Sequence, residues 1–579
     1  MGIADYIIIL VYFAGLLLLG GFLGRKIKSA KDMFIAGRNS SWWLSGLSTY
    51  MTIFSASTFV VWGGVAYRSG MVSVVIATML GIASIFVGAF LVGKWSKQRI
   101  NSPAEYLGVR FNKSIVRFYT IIGVFGRGIH MAVALYAVAI MTVALIPLPE
   151  GHILADPRTG HLSVMYAVLV LGVVTLVYTA AGGFLAVIMT DVVQFAVLIA
   201  MVLIMIPLSF ESIGGVGEFI INSPDGFFSF FSEQYSWGWM VLWLLLNFFM
   251  LGGDWAFVQR YISVPTVREA KKSAYLVGIL YITTPLIWYI PALVYRVINP
   301  NANPEQAYML MSQHLLSVGM LGLMLAAMLS ATMSAVSSNL NVFANVFAYD
   351  IFRAARPRAS DKTLIRVGRI FTYVYGALIT GVAIMIPYLG GAERVVVPTL
   401  TLIVSPLFIP SIWGLFSKRI GSGAVWWSMG ITYTIAFVIK AGFFDDIVNQ
   451  HVEFVDAFIG FVVPFATLLI IELVLWKKEK DAGWDRLVQI SEEEEGINDE
   501  ATEEKNKKAG SLYSSLAINI MMGTYLTIGI IIAILAFVTD ADSERMLLYA
   551  SIFIVVSIVV LTIYHYRKSK IEKKIINNG

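Results

Sequence analysis

Apolar stretches of about 20 residues, the length that crosses a bilayer as a helix, recur along nearly the whole chain. They are read at 3–23, 43–67, 72–93, 115–146, 162–180, 184–208, 237–258, 273–297, 321–349, 367–388, 395–416, 422–443, 455–476, 513–537 and 546–566. The pattern predicts an all-α polytopic membrane protein of about fifteen spans. Polar residues interrupt these runs at particular places, and those places carry the functional reading.

In the span at 321–349, Ser330, Ser334, Ser338, Asn341 and Asn345 fall on one helical face, with Thr332 and Ser337 beside them. A single Ser or Thr in a membrane helix returns its hydroxyl to the preceding turn or lets a neighbouring helix approach. An Asn amide is not satisfied that way, so this face is expected to meet ions, water or other polar groups. The span at 43–67 has the same character. Ser48, Thr49, Thr52, Ser55, Ser57 and Thr58 cluster near its middle and predict a helix broken at mid-depth, which frees backbone carbonyls. Gly252-Gly253 predicts a second break in the span at 237–258, where Asn247 and Asp254 need partners.

Asp191 is the most informative acid. It lies roughly 10 Å inside its span at the helical rise, a depth compatible with contact to Ser337 and Ser338, which lie about 16–18 Å up a helix running the other way. A carboxylate there is costly; it either serves function or pairs with a helix terminus. Carboxylate, hydroxyls and freed carbonyls together are the oxygen ligands a hard cation such as sodium takes. Arg127 and His130, three apart on one face of the span at 115–146, form the other ionisable cluster. Two readings stand for Arg127: an ion pair with an acid such as Asp254, or a fork for a solute carboxylate. Lys440, near a span end, is expected to snorkel.

Composition agrees, with 58% of the 579 residues hydrophobic and 13% charged, against roughly a quarter charged in ordinary soluble proteins. Most Lys and Arg fall in alternate loops, from 24–42 to the C-terminal tail. The opposite loops carry Arg68, Arg158, Arg296, Arg394 and Arg545. This asymmetry places the N-terminus outside and the tail in the cytoplasm, and it accounts for the net charge of +6 without nucleic acid. The first span lacks a basic leader and a cleavage site, so it reads as a retained helix. There is no cysteine, the six histidines show no metal-ligand spacing, and no phosphate-binding G-x-x-x-x-G-K-[ST] appears. With no nucleophile–base pair visible, an enzyme is not expected. Residues 477–512 are charge-dense and read as a flexible cytoplasmic loop.

Several segments, "DYIIILVYFAGLLLLGGFLGRKIKSAKDMFIAGR", "YTAAGGFLAVIMTDVVQ", "VQRYISVPTVREAKKS", "MLSATMSAVSSNLNVFANVFAYDIF" and "GLFSKRIGSGA", taken in this order, resemble the sodium/solute symporter family, which includes sodium/proline, sodium/galactose and sodium/sialic acid transporters. The resemblance covers roughly residues 3–480. It implies a leucine-transporter-like core of two inverted five-helix repeats, at 43–208 and 237–416. Outside the core lie 1–42 as an extra span and loop, 422–476 as additional spans, the loop 477–512, and 513–579 as C-terminal spans and basic tail.

The family's shared sodium site then falls on the carbonyls of Met51, Phe54 and Ala331 and the hydroxyl of Ser334, while its second hydroxyl position is Ala335. A lower sodium site, found in relatives resembling the sialic acid transporters, falls on Asp191, Ser334, Ser337 and Ser338. The implied solute site comprises Ser55, Ser57, Thr58, Arg127, His130, Asn247, Met250 and Asn341. Thr58 replaces a sugar-binding glutamine, Met250 a gating tyrosine and Tyr281 a lysine, whereas Asn247 matches a sugar-contacting asparagine. His130 falls on the arginine that holds the sialic acid carboxylate. The function implied is sodium-coupled symport of a small solute, with organic anions favoured, in a bilayer that the resemblance makes a bacterial inner membrane. The alternatives are a proton-coupled or uncoupled transporter, to which Ala335 points, and a membrane sensor built on a transporter-like domain.

Overall fold

The computed structural model describes residues 2–25, 38–98, 100–143, 145–149, 151–389, 395, 404–439, 455, 458–475, 479–497, 500–538 and 543–578. All regular secondary structure among the described residues is helical, with no strand beyond two isolated bridges. Among them, nine helices are long and apolar enough to cross a membrane, and two further crossings are bent pairs. Lys440 and the first part of the span read at 395–416 lie outside the described residues.

Leaving aside four short helices (Val92–Lys97, Val216–Asn222, Ala307–Leu315 and Phe408–Trp413), the helices in chain order are α1 (Ile3–Gly24), the bent pair α2 (Trp42–Ile53) and α3 (Thr58–Ser69), α4 (Val72–Phe90), the short α5 (Pro103–Arg110), α6 (Lys113–Val143), α7 (Val164–Ala180) and α8 (Gly182–Glu211). There follow the second bent pair, α9 (Trp237–Gly253) and α10 (Trp255–Ile262), then α11 (Val267–Ile298), α12 (Met320–Val346, continued by a wide turn to Arg353) and α13 (Asp361–Met385). The last five are α14 (Ser422–Val438), α15 (Phe458–Val474), α16 (Ala482–Ile497), α17 (Glu500–Val538) and α18 (Ser543–Asn578).

Both breaks expected from the sequence are present, bent by 66° between α2 and α3 and by 55° between α9 and α10. The first break spans Phe54 (ψ 129°) and Ser55, and the second is the single residue Asp254 (ψ 132°). Before the first break, Thr52 returns its hydroxyl to the Ser48 carbonyl at 2.7 Å; after it, the Ala56 N–H donates to Thr332 Oγ1 on α12 at 3.0 Å. At the second, the Asp254 side chain caps α10 by accepting from the Ala256 N–H at 2.8 Å. Glycine is required there because a Cβ on Gly253 would lie 3.1 Å from the Phe408 Cα. Broken helices in lipid need such internal partners, since no solvent reaches the freed groups.

Helix α12 is the axis of the bundle: every residue from Met320 to Val346 is buried. It packs against α1, α2, α6, α8, α10 and α13. Its small residues permit this crowding, as membrane helices associate through close backbone approach more than through apolar burial. The Asp5 side chain of α1 caps it, accepting from the N–H groups of Gly319 (2.7 Å) and Gly322 (2.6 Å). Nothing in the spacing of α1 distinguishes Asp5 beforehand, because its partners are backbone amides of a distant helix.

The segment read as a flexible loop carries α16, and its start is anchored. Arg110, at the end of α5, is fully buried; it donates to the carbonyls of Gly414, Ser417 and Ile420 and to Asp481 Oδ1, all within 2.8–3.0 Å. Trp484 of α16 lies with its ring centroid 5.9 Å from the Arg110 Cζ, and Leu487 of the same helix is buried. Replacing Arg110 with Met keeps the stem and removes every donor. Thermal unfolding of the purified protein should then show a loss of about 3 kcal/mol, since deleting one partner of a buried ionic network orphans the others. An unchanged Tm would mean that the anchor contributes nothing.

Candidate cation and solute site

The sequence places Asp191 in the middle of α8, opposite the serine face of α12. There its carboxylate is fully buried. Oδ1 accepts from the Ser334 hydroxyl at 2.6 Å, and Oδ2 accepts from the Ser48 hydroxyl of α2. Ser337 turns its hydroxyl to the Ser334 carbonyl at 3.1 Å, and Ser338 stands 3.1 Å from Thr52 Oγ1. Asp191, Ser334, Ser337 and Ser338 are thus gathered where α2, α8 and α12 meet.

A fourth element enters this cluster. Arg260, in the last turn of α10, is fully buried and lies with Nη2 3.7 Å from Asp191 Oδ2. The same Nη2 donates to Ser338 at 2.5 Å, Nε donates to Ser48 at 2.9 Å, and Nη1 returns to the Ala256 carbonyl at 2.7 Å. The Arg260 carbonyl accepts from Ser45 of α2 at 2.8 Å. Sequence reading missed this arginine because it follows the second break and counts there as a loop cation. The signal was its setting among Phe257, Val258, Tyr261 and Ile262, with no polar residue but Gln259 nearby. Ser48 was noticed as one hydroxyl of a cluster, yet its part in holding the carboxylate is a matter of packing.

The carbonyl-bearing residues of the expected upper site, Met51, Phe54 and Ala331, are all buried around the first break and the facing turn of α12. Ala335 is 3% exposed. Thr332, next to Ala331, spends an oxygen lone pair on the Ala56 N–H of the break.

The expected solute residues fall into separate groups. Ser55 and Ser57 hydroxyls lie 2.6 Å apart, and Thr58 Oγ1 accepts from the Ser55 N–H at 3.4 Å, so all three act at the first break. Asn247 donates to the Trp243 carbonyl of its own helix at 2.8 Å, and the Met250 carbonyl accepts from the Asp254 N–H at 2.9 Å. Arg127 pairs with Asp254 through Nη2 and Oδ2, the first of the two readings given for it. The pair borders a cavity of about 30 Å³, where Tyr119, Asn339, Phe343 and Phe408 complete the wall. One turn from Arg127, His130 Nδ1 is buried without a hydrogen-bond partner among the described residues, and so is Asn341 Nδ2 on α12. Buried polar atoms in that condition mark places where a ligand or water completes the bonding.

Comparisons with known proteins bear on this geometry. The sodium:solute symporter family profile matches residues 33–431. The chain is 28% identical over 399 residues to a sodium/sialic acid symporter of Aliivibrio fischeri, covering 65% of this chain and 75% of that one. It is also 28% identical over 478 residues to a sodium/glucose cotransporter of Vibrio parahaemolyticus, covering 75% and 84%. Among solved structures, a Na+-coupled sialic acid symporter in a substrate-bound outward-open state aligns with a TM-score of 0.68 at 22% identity, over 82% of this chain and 97% of that one. This likeness shows a shared leucine-transporter-like fold. With the profile spanning more than half of its residues, this chain belongs to the sodium:solute symporter family.

Proposed function

We propose that this protein couples sodium influx to the uptake of a small organic anion by alternating access, with no catalytic step, and that the lower site around Asp191 holds the coupled sodium. The observation that carries the reading is the meeting of a buried carboxylate, Asp191, with Ser334, Ser337 and Ser338 beside the broken first span. Oxygen donors at mid-membrane next to unwound backbone are the setting in which such folds take up sodium. Sodium there would bridge α8 and α12 close to α2, and so favour the arrangement of the broken span that completes the solute pocket. It contributes to transport only by its difference in affinity between the two states.

The solute pocket in this reading lies between the first break, His130 and Asn341, with Asn247 and Met250 on the α9 side. A carboxylate solute finds a free donor in His130 more readily than in Arg127, whose charge Asp254 already balances. Relatives that carry sialic acid support the organic-anion class. The bacterial relatives and the basic loops support residence in a bacterial inner membrane, N-terminus outside and C-terminus cytoplasmic. Coupling to protons in place of sodium is the second reading, favoured by Ala335 where the upper site expects a hydroxyl.

Three outcomes follow. Asp191→Asn removes the one full negative charge beside the serines, so sodium activation of uptake in proteoliposomes should weaken by about tenfold or more, the factor for each 1.4 kcal/mol of lost binding; wild-type sodium dependence would remove Asp191 from the ligand set. His130→Ala should raise the apparent KM for a carboxylate solute by about tenfold with folded protein intact, as expected for one hydrogen bond to a charged group; equal KM values would place the anion elsewhere. Arg127→Gln leaves Asp254 unpaired and should destabilise the fold by about 3–5 kcal/mol. Adding Asp254→Asn should restore most of that heat stability, and a single variant as stable as wild type would show that the pair contributes nothing.

A further inference from the structure

The guanidinium of Arg260 holds two of the oxygens that the lower-site reading gives to sodium. Its Nη2 is 2.5 Å from Ser338 Oγ and 3.7 Å from Asp191 Oδ2, and neither Arg260 nor Asp191 exposes any side-chain surface. The groups around this head are the Ser48 hydroxyl of α2, the Asp191 carboxylate of α8, the Ser338 hydroxyl of α12, the Ala256 carbonyl of its own helix and, 5.8 Å away, the Phe184 ring. Asp191 supplies the one negative charge. One carboxylate neutralises one cation, so a sodium ion held by the same carboxylate and the same hydroxyl would face a second positive charge a few ångströms away, in a buried site where screening is weak.

We propose that Arg260 is a tethered competitor of the coupled sodium, a positioning residue whose Nη2 leaves Ser338 and Asp191 when sodium binds there. This rests on the lower-site reading above and adds to it a consequence for motion. A guanidinium is a rigid plane, so Nη1 leaves the Ala256 carbonyl as Nη2 leaves Ser338; the Nε bond to Ser48 keeps the head within reach, and the exchange is a local swing, reversed when sodium leaves. Because Arg260 is the link through which α10 is bonded to Ser338, its displacement frees the second half of the broken α9–α10 span from the serine face of α12. Sodium binding and the release of α10 then become one event, which is a direct way to couple an ion to a gate. The Ser45 hydroxyl, bonded to the Arg260 carbonyl, leaves α10 attached to α2, so the two half-helices are expected to move together.

The test uses the purified full-length chain, with sodium chloride exchanged for potassium chloride at constant ionic strength. In Arg260→Gln the competitor is gone and Asp191 lacks a cation. Heat stabilisation by sodium should then reach half its maximum at a concentration about tenfold lower than in wild type, the size of coupling usual between groups that exclude one another. In wild type, sodium should raise hydrogen–deuterium exchange of the amides of residues 255–262, as α10 is released. Should Arg260→Gln not fold, this second measurement decides alone. The proposal is overturned if Arg260→Gln needs as much sodium as wild type or more, or if sodium leaves exchange over 255–262 unchanged or lowered. Asp191→Asn serves as the control for the underlying reading: if that variant keeps the full sodium effect, the ion binds elsewhere and both ideas fall. If it loses the effect while Arg260→Gln behaves as wild type, the site stands and only the competition is wrong.

Discussion

In a bundle surrounded by lipid, each ionised group must find its compensation inside the protein, and the centre of this one is organised around a carboxylate and a guanidinium that are both fully buried. At an effective dielectric near 20, opposite charges about 4 Å apart attract by about 4 kcal/mol, and removing each from water costs several. Asp191 and Arg260, 3.7 Å apart, therefore gain little by themselves. The geometry becomes tenable because Ser48, Ser334 and Ser338 occupy the remaining donor and acceptor positions. These groups come from α2, α8, α10 and α12, so the arrangement persists only while four helices keep their places. The polar cluster is the point where the bundle is most sensitive to a change in charge.

The other acids of the interior obey the same constraint in different ways. Asp5 forms no ion pair among the described residues; it rests on the amides that open α12 and on its own helix's Gly2 N–H, where the helix dipole and three N–H groups stand in for a charge. Asp254 divides its carboxylate oxygens between the Ala256 amide of α10 and the Arg127 guanidinium. It thereby closes the helix break and neutralises the arginine of α6 at once. Each acid joins elements remote in the chain: α1 to α12, α6 to the second break, α8 to the first. The apolar surface between the helices is continuous and weakly directional, whereas these polar joints fix registers.

The two broken spans differ in how they are held. The first break is carried by hydroxyls and is bonded to α12 through the Ala56 N–H and Thr332. The second is carried by glycines and an aspartate, and approaches Phe408 so closely that a side chain at Gly253 would collide with it. Hydroxyl-rich backbone can exchange partners with an ion or a solute at little cost. A glycine contact is a steric fit with no such alternative. The first break is thus the more adaptable of the two.

Much of this was legible in the sequence. The spans follow from the thickness of a bilayer; of the roughly fifteen read, nine are helices long and apolar enough to cross among the described residues, eleven with the two bent pairs. Both breaks could be placed because hydroxyls and paired glycines in an apolar run have few other uses. Asp191 stood out because a carboxylate in hydrocarbon demands a reason. The tertiary structure alone decided which partner each polar group takes. Arg127 had two readings until α10 brought Asp254 to it. Arg260 passed for a loop residue until the bend after Gly253 turned it inward against Asp191, and Asp5 was unremarked until α12 offered its amides. A sequence records a group's need for a partner locally, through burial and period. Which partner answers is set by helices that meet only after packing, across separations that no local pattern encodes.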